Sequence, residues 1–346
     1  MSASETQVLA ERAARTAARR GLRAALGSAV APLSGLLFVV LLFWIYGLIA
    51  KPDAAFLSGF RMALIAKQTA IVGVGALGMT VIVASGGIDL SVGSILALTS
   101  VVLASALRAG VPPLAALALT LATGTAAGAL NGALVTWLKL VPFIVTLGTM
   151  LLFRGLAEQV SEQKKIAADA PEWLATLLDP PLAGSWQLVS PGVWIVIALG
   201  LALALVLRST VFGRHVFALG SSEATARLCG LPVARLKIAV YALGGAFMAV
   251  AGVFEFDNLN RQASPSSGGG LELEVIAAVV IGGGSLSGGR GSVLGSLAGA
   301  LMMTTLRSGC VFAEVPDPVQ KIVVGAIIVG AVAIDRLRQR ARSLRA

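Results

Sequence analysis

The sequence predicts an all-α integral membrane protein of about ten transmembrane helices, with broken or re-entrant segments and both termini cytoplasmic. Three observations predict it. The 346 residues are 57% hydrophobic and 13% charged, against roughly 45–50% apolar and about 25% charged in a typical soluble domain. A water-soluble fold could not hide that much apolar surface. The apolar residues come in runs of around twenty, the length that a hydrocarbon core of about 30 Å demands of a helix. The basic residues gather at the two ends and in one internal segment, as topology signals do.

In chain order, apolar runs bounded by charges, Pro and Gly place spans near 29–50, 62–84, 90–108, 112–137, 141–158, 190–207, 237–256, 273–289, 291–308 and 319–335. The first run is longer than a signal-peptide core and no small-residue cleavage pattern follows it, so it is expected to stay attached. Residues 1–28 read as a basic cytoplasmic arm, with Arg12, Arg15, Arg19, Arg20 and Arg23. Residues 29–335 read as one transmembrane domain. The tail 336–346 carries Arg336, Arg338, Arg340, Arg342 and Arg345. Positive charge at both ends puts both inside and makes the span count even. The segment at about 209–237 is also basic, with Arg208, Arg214, Arg227, Arg235 and Lys237 around Glu223, and is read as cytoplasmic. Between the fifth and sixth spans Glu158, Glu162, Asp169, Glu172 and Asp179 outnumber Lys164 and Lys165, which suits an external loop. Lys51 and Arg61, flanking Asp53, run against the rule. Abundant Gly and Ala let membrane helices pack closely.

Two stretches break the helical pattern. At Ser85-Gly86-Gly87-Ile88-Asp89-Leu90-Ser91, two glycines and an acid interrupt an apolar stretch. The break is either a cytoplasmic turn or a discontinuous helix whose freed backbone groups line a solute path. Asp89 either caps the next helix or contributes to that path. The second break, from Gly282 to Gly291, follows the short run Val275 to Ile281, which cannot cross a bilayer alone, so a half-helix is expected. Gly93 to Ala97 (GSILA) resembles Gly291 to Gly295 (GSVLG), 198 positions on, hinting at an internal repeat. Glu272 and Glu274 are expected at the outer interface, as a solvated pair or a docking contact.

Several chemistries are excluded. The basic segments lack the interleaved aromatics of a base-stacking surface, so nucleic acid is not a partner. Cys229 and Cys310 have no CxxC or histidine companion, so neither a metal nor a cofactor is expected. The second glycine cluster lacks the Gly-Lys-Ser/Thr of a phosphate loop. The lone His215 has no acid or nucleophile nearby, so the chain is not expected to be an enzyme.

The residues of the breaks carry a resemblance. Gly86 to Gly93 reads GGIDLSVG, Asn131-Gly132 is followed by PFIVTLGTM at Pro142 to Met150, Ala218 to Gly230 reads ALGSSEATARLCG, and Glu272 to Gly283 reads ELEVIAAVVIGG. In that order these resemble the ribose-type permeases of bacterial ABC sugar importers, from about residue 60 to the C-terminus. Ser222 stands where the family has Asn, Cys229 where it has Ser and Glu274 where it has Asp. The resemblance implies a multi-pass permease in the bacterial inner membrane, paired with a second permease subunit, docked on cytoplasmic ATP-binding cassette ATPases and fed by an extracytoplasmic solute-binding protein. It implies a short coupling helix, with Glu223, Ala224, Arg227 and Gly230 at the ATPase contact. It also implies a path near Gly86, Gly87, Asp89, Ser91, Asn131, Phe143 and Thr146. Two rivals stand beside it: an ion-coupled secondary transporter working through Asp89, and an ABC permease for amino acids or nucleosides.

Overall fold

The computed structural model describes residues 34–51, 55–180 and 189–343, with only the backbone of 331 and 334–343. The expected arm at 1–28, Asp53 and Arg345 lie outside the described residues. Its helices are α1 (Ser34–Ala50), α2 (Gly59–Ala84), α3 (Val92–Arg108), α4 (Pro113–Trp137), α5 (Pro142–Val160), α6 (Glu172–Ala175), α7 (Pro191–Ser209), α8 (Val211–Ser221), α9 (Glu223–Leu228), α10 (Val233–Asn258), α11 (Leu271–Ile281), α12 (Val293–Phe312) and α13 (Asp317–Ser343). α2, α4, α5, α7 and α10 are long and apolar enough to cross a membrane, and α1 and α3 are shorter apolar helices. The chain is a mostly helical, multi-pass membrane protein.

Local sequence sets the helix ends. α4, α5 and α7 open on Pro113, Pro142 and Pro191, where proline's missing N–H would be unpaired anyway. The span expected at 273–289 is corrected to an 11-residue helix, about 16 Å long at 1.5 Å per residue. It ends where Gly283, at φ +90°, turns the chain out of the helix. α13 runs without interruption through the basic segment 336–343.

α10 is the hub. Gly124, Gly128 and Gly132 of α4 press on its backbone at Gly245, Tyr241 and Ile238, each so close that a Cβ would collide. Without a hydrophobic drive between helices in lipid, such close approach supplies the contact energy. α2 lies on another side of α10, with Gly78 against Gly244, and is buried continuously from Ala70 to Ala84. By contrast α4, α5 and α7 show apolar outer faces, including Leu114, Ile144, Leu151 and Leu205, which suit lipid or a second subunit.

The two ends of the bundle differ. At one, the antiparallel pair β1 (Ile166–Ala167) and β2 (Gln262–Ala263) ties the α5–α6 and α10–α11 connections together, and Asp257 accepts the Leu178 N–H at 2.7 Å. This strand-pair end was not foreseen. The opposite end carries α8 and α9.

Candidate functional site

α2 stops at a glycine cap. Gly86, at φ +84°, donates to the Val83 carbonyl and Gly87 to the Ile82 carbonyl, the paired bonds of a Schellman ending. Gly87 lies under the Tyr241 hydroxyl, where a Cβ would come within 2.6 Å of the oxygen. The chain then passes to Asp89, whose Oδ1 accepts the Ser91 N–H at 2.7 Å and the Ser91 hydroxyl at 2.6 Å. This turn of side chain onto backbone two residues ahead leads into α3. From α4, Asn131 donates its Nδ2 to Asp89 Oδ2 at 3.3 Å and to Ser91 Oγ at 2.7 Å. The Ile88 carbonyl receives Tyr241 Oη of α10 at 3.2 Å and Thr146 Oγ1 of α5 at 3.4 Å.

Asp89, Ser91, Asn131 and Thr146 are all buried. A carboxylate at this depth is costly unless hydrogen-bonded, and Asp89 meets that need with neutral donors from α3's approach and α4. Asp89 does not itself cap α3, whose N-cap is Ser91 without a side-chain cap bond; it stands in the same cluster as the other polar residues of the expected path. Six of those seven residues come together. Phe143 does not join them: its side chain is 47% exposed on the first turn of α5. Tyr241 was missed. Its signal is a phenol in the middle of an apolar span, where the hydroxyl needs a partner.

The second break touches the first. α11 ends as α2 does, with Gly283 donating to Val280 and Gly284 to Val279. Gly288 and Gly289 also have positive φ. Gly289 donates to the Ala84 carbonyl at 2.9 Å, and Gly288 packs on both Gly86 and Gly220 of α8. Both short repeat-like sequences thus lie where a helix resumes after a glycine break.

At the α8–α9 end, Ser222 caps α9 by accepting the Thr225 N–H at 3.2 Å. Glu223 lies in the first turn and Arg227 in the last, the signs that suit the helix dipole. Glu223 binds Arg227 at 3.0 Å and Lys237 of α10 at 2.7 Å. Partial burial pushes the Glu223 carboxyl up, but hydrogen bonds and charge from Lys237 and Arg227 outweigh it and hold the group below its ordinary range. Gly230, at φ +78°, ends the helix, donating to Arg227 while Leu231 donates to Ala226. Ala224 and Arg227 face outward, and Leu228 is 88% exposed. Beside α9 lies a cleft of about 950 Å³ between the α4–α5 connection and the start of α10, with Lys139, Arg227, Arg235 and Lys237 in its walls.

Glu274 is not a solvated partner of Glu272. It pairs with Arg307 of α12 at 2.7 Å, with its side chain 16% exposed.

Residues 61–332 match the family described as branched-chain amino acid transport system / permease component. The chain belongs to that family. It is 40% identical over 281 residues, 80% of this chain and 85% of the relative, to the ribose import permease protein of Escherichia coli (strain K12). It is 35% identical over 295 residues, 85% and 87% of the two chains, to the autoinducer 2 import system permease protein of Photorhabdus luminescens. To the fructose import permease protein of Rhizobium meliloti it is 36% identical over 287 residues, 81% and 79%. The chain is thus a permease of the ribose type, as its break motifs indicated. No solved structure matches it.

Proposed function

We propose that the chain is the membrane-spanning permease subunit of an ABC-type importer in a bacterial inner membrane, carrying a sugar or sugar-like solute into the cytoplasm. ATP hydrolysis by partner ATPases drives it, a second permease subunit completes the passage, and an extracytoplasmic protein delivers the solute. The single observation that carries this reading is α9. A six-residue helix is marginal alone, yet this one is capped at both ends, held to α10 through Glu223 and Lys237, and presents Ala224, Arg227 and an apolar Leu228 outward. That is a rigid knob built for a docking partner.

In this reading α1, α2, α3, α4, α5, α7, α10, α11, α12 and α13 make ten membrane segments, α11 entering only part-way. Both termini and the α8–α9 segment are cytoplasmic, and the strand-pair end is external. The permease domain is 29–335, with basic segments before and after it. Closure of the ATPases pushes on α9. Through α8, whose Gly220 lies against Ala84 and Gly289, the push reaches both breaks at once. The polar cluster of Asp89, Ser91, Asn131 and Thr146 then lies beside the route that opens, with Gly86 and Gly87 as its backbone hinge and Phe143 at its edge.

Charge reversal tests the coupling. Arg227→Glu or Glu223→Lys, assembled with the ATPases, is expected to keep ATP hydrolysis but lose most ATP-driven uptake while the permease remains inserted and dimeric. Unchanged uptake by both variants removes these residues from the contact.

A further inference from the structure

A second polar site lies away from the breaks, toward the strand-pair end. Five helices and the Gly268–Leu271 segment line a cavity of about 220 Å³. Gln68 of α2, Glu255 and Asn258 of α10, Glu274 of α11, and Thr304 and Arg307 of α12 line it, over an apolar floor. These groups already order one another. Asn258 Nδ2 donates to Glu255 Oε2 at 3.2 Å, Arg307 Nη1 donates to Glu274 Oε1 at 2.7 Å, and Glu255 also bonds Ser267.

We propose that this cavity is a solute subsite for a neutral monosaccharide, entered from the external side before the passage opens; this rests on the import reading above. The chemistry selects the class. Of the lining side chains Glu255 and Glu274 are faced by Arg307, and the charge of Lys67, outside the lining, also reaches Glu255, so the site has little net sign with which to hold a free anion or cation. It offers carboxylate and amide acceptors beside amide and guanidinium donors, the alternation that adjacent hydroxyl groups of a polyol satisfy. Among the described residues no aromatic side chain lines it, so recognition is by hydrogen bonds and not by stacking, which suits weak, passing occupancy. Its volume falls below the range of about 300–1,000 Å³ of drug-sized sites, enough for one sugar ring and too little for two. Glu274 stands on α11, the half-helix that runs into the second break, where Gly288 and Gly289 touch Gly86, Gly220 and Ala84, so a shift at the breaks reaches the cavity wall.

Solute protection tests this in the full chain in detergent. Gln68→Cys places a thiol on the cavity wall, in a Cys229→Ser background because Cys229 is exposed and Cys310 buried. A charged maleimide is expected to label it. D-ribose or D-fructose should slow labelling in proportion to one plus the sugar-to-Kd ratio, about tenfold at nine times Kd. Glu255→Gln should abolish that protection without slowing labelling itself. Sucrose, choline and glutamate should not protect. No labelling, no protection by either monosaccharide, protection by choline or glutamate, or protection that survives Glu255→Gln would each overturn the subsite. Such a failure beside intact ATP-driven uptake leaves the import reading standing, whereas uptake that needs no ATPase overturns that reading instead.

Discussion

The two breaks begin alike and finish differently. α2 and α11 both end on a Schellman turn with glycine at positive φ, but the first break is then crossed by side-chain hydrogen bonds from four helices, and at the second Gly288 and Gly289 bring backbone onto backbone. Asp89, Ser91, Asn131, Thr146 and Tyr241 satisfy the chain from Ile88 to Ser91 with hydrogen bonds that reach across α3, α4, α5 and α10. At the second break Gly288 and Gly289 lie so close to Gly86, Gly220 and Ser221 that side chains are excluded there. The first break shows how polar groups are satisfied at depth, the second how glycines let backbones meet. A helix interruption in a membrane can be tolerated by either route, and their contact at Gly289 and Ala84 makes them one unit.

The largest effect that would break this contrast is Asp89→Ala. It strands the Ser91 N–H and the Ser91 hydroxyl and leaves Asn131 Nδ2 only its bond to Ser91 Oγ, at about 1–3 kcal/mol for each unsatisfied buried group, and should lower the melting temperature of the solubilised protein sharply. Asp89→Asn keeps an acceptor of the same shape and should recover most of that loss together with ATP-driven uptake. An Asn variant that folds normally yet takes up nothing would favour proton coupling through Asp89. Next comes Gly220→Ala, whose methyl would enter the space of the Ala84 carbonyl. Overpacking of this kind costs about 1–3 kcal/mol, and uptake should fall even at temperatures where the variant remains folded. Tyr241→Phe removes one bond to the Ile88 carbonyl, which Thr146 still approaches, so about 1 kcal/mol or less is expected in the same melting assay.

The smallest effect is at α9, where exposed pairs contribute only about 0.3–0.5 kcal/mol. Glu223 lies below its ordinary value of 4.5, so its pairs with Arg227 and Lys237 are complete above that pH and are lost as pH falls through the lower folded value. The melting difference between wild type and Glu223→Gln should therefore be present at neutral pH and vanish in acid below that value. A difference that persists there would show that charge does not hold α9.

Much of this arrangement was readable from the residues. Apolar runs gave the helices because lipid leaves the backbone few alternatives, and Gly86 and Gly230 marked helix ends because only glycine adopts those turns cheaply. The polar break residues were readable because acids and amides are expensive in apolar runs. Tyr241 was not, since its role depends on α10 passing under Gly87, a contact 154 positions away in the chain. The half-helix α11 was readable too, because Ile281 is followed by the glycine run from Gly282 to Gly284, although the span placed at 273–289 overran that stop. Glu274 and Glu255 meet around one cavity only after five helices fold, and β1 and β2 are too short to leave an alternation in the sequence.

The most direct measurement is solute accumulation in sealed vesicles. The account predicts that the purified chain alone moves no sugar uphill under a proton or sodium gradient, and that adding its ATPase, its binding protein and ATP produces accumulation. Concentrative uptake by the chain alone, driven only by an ion gradient, would contradict it.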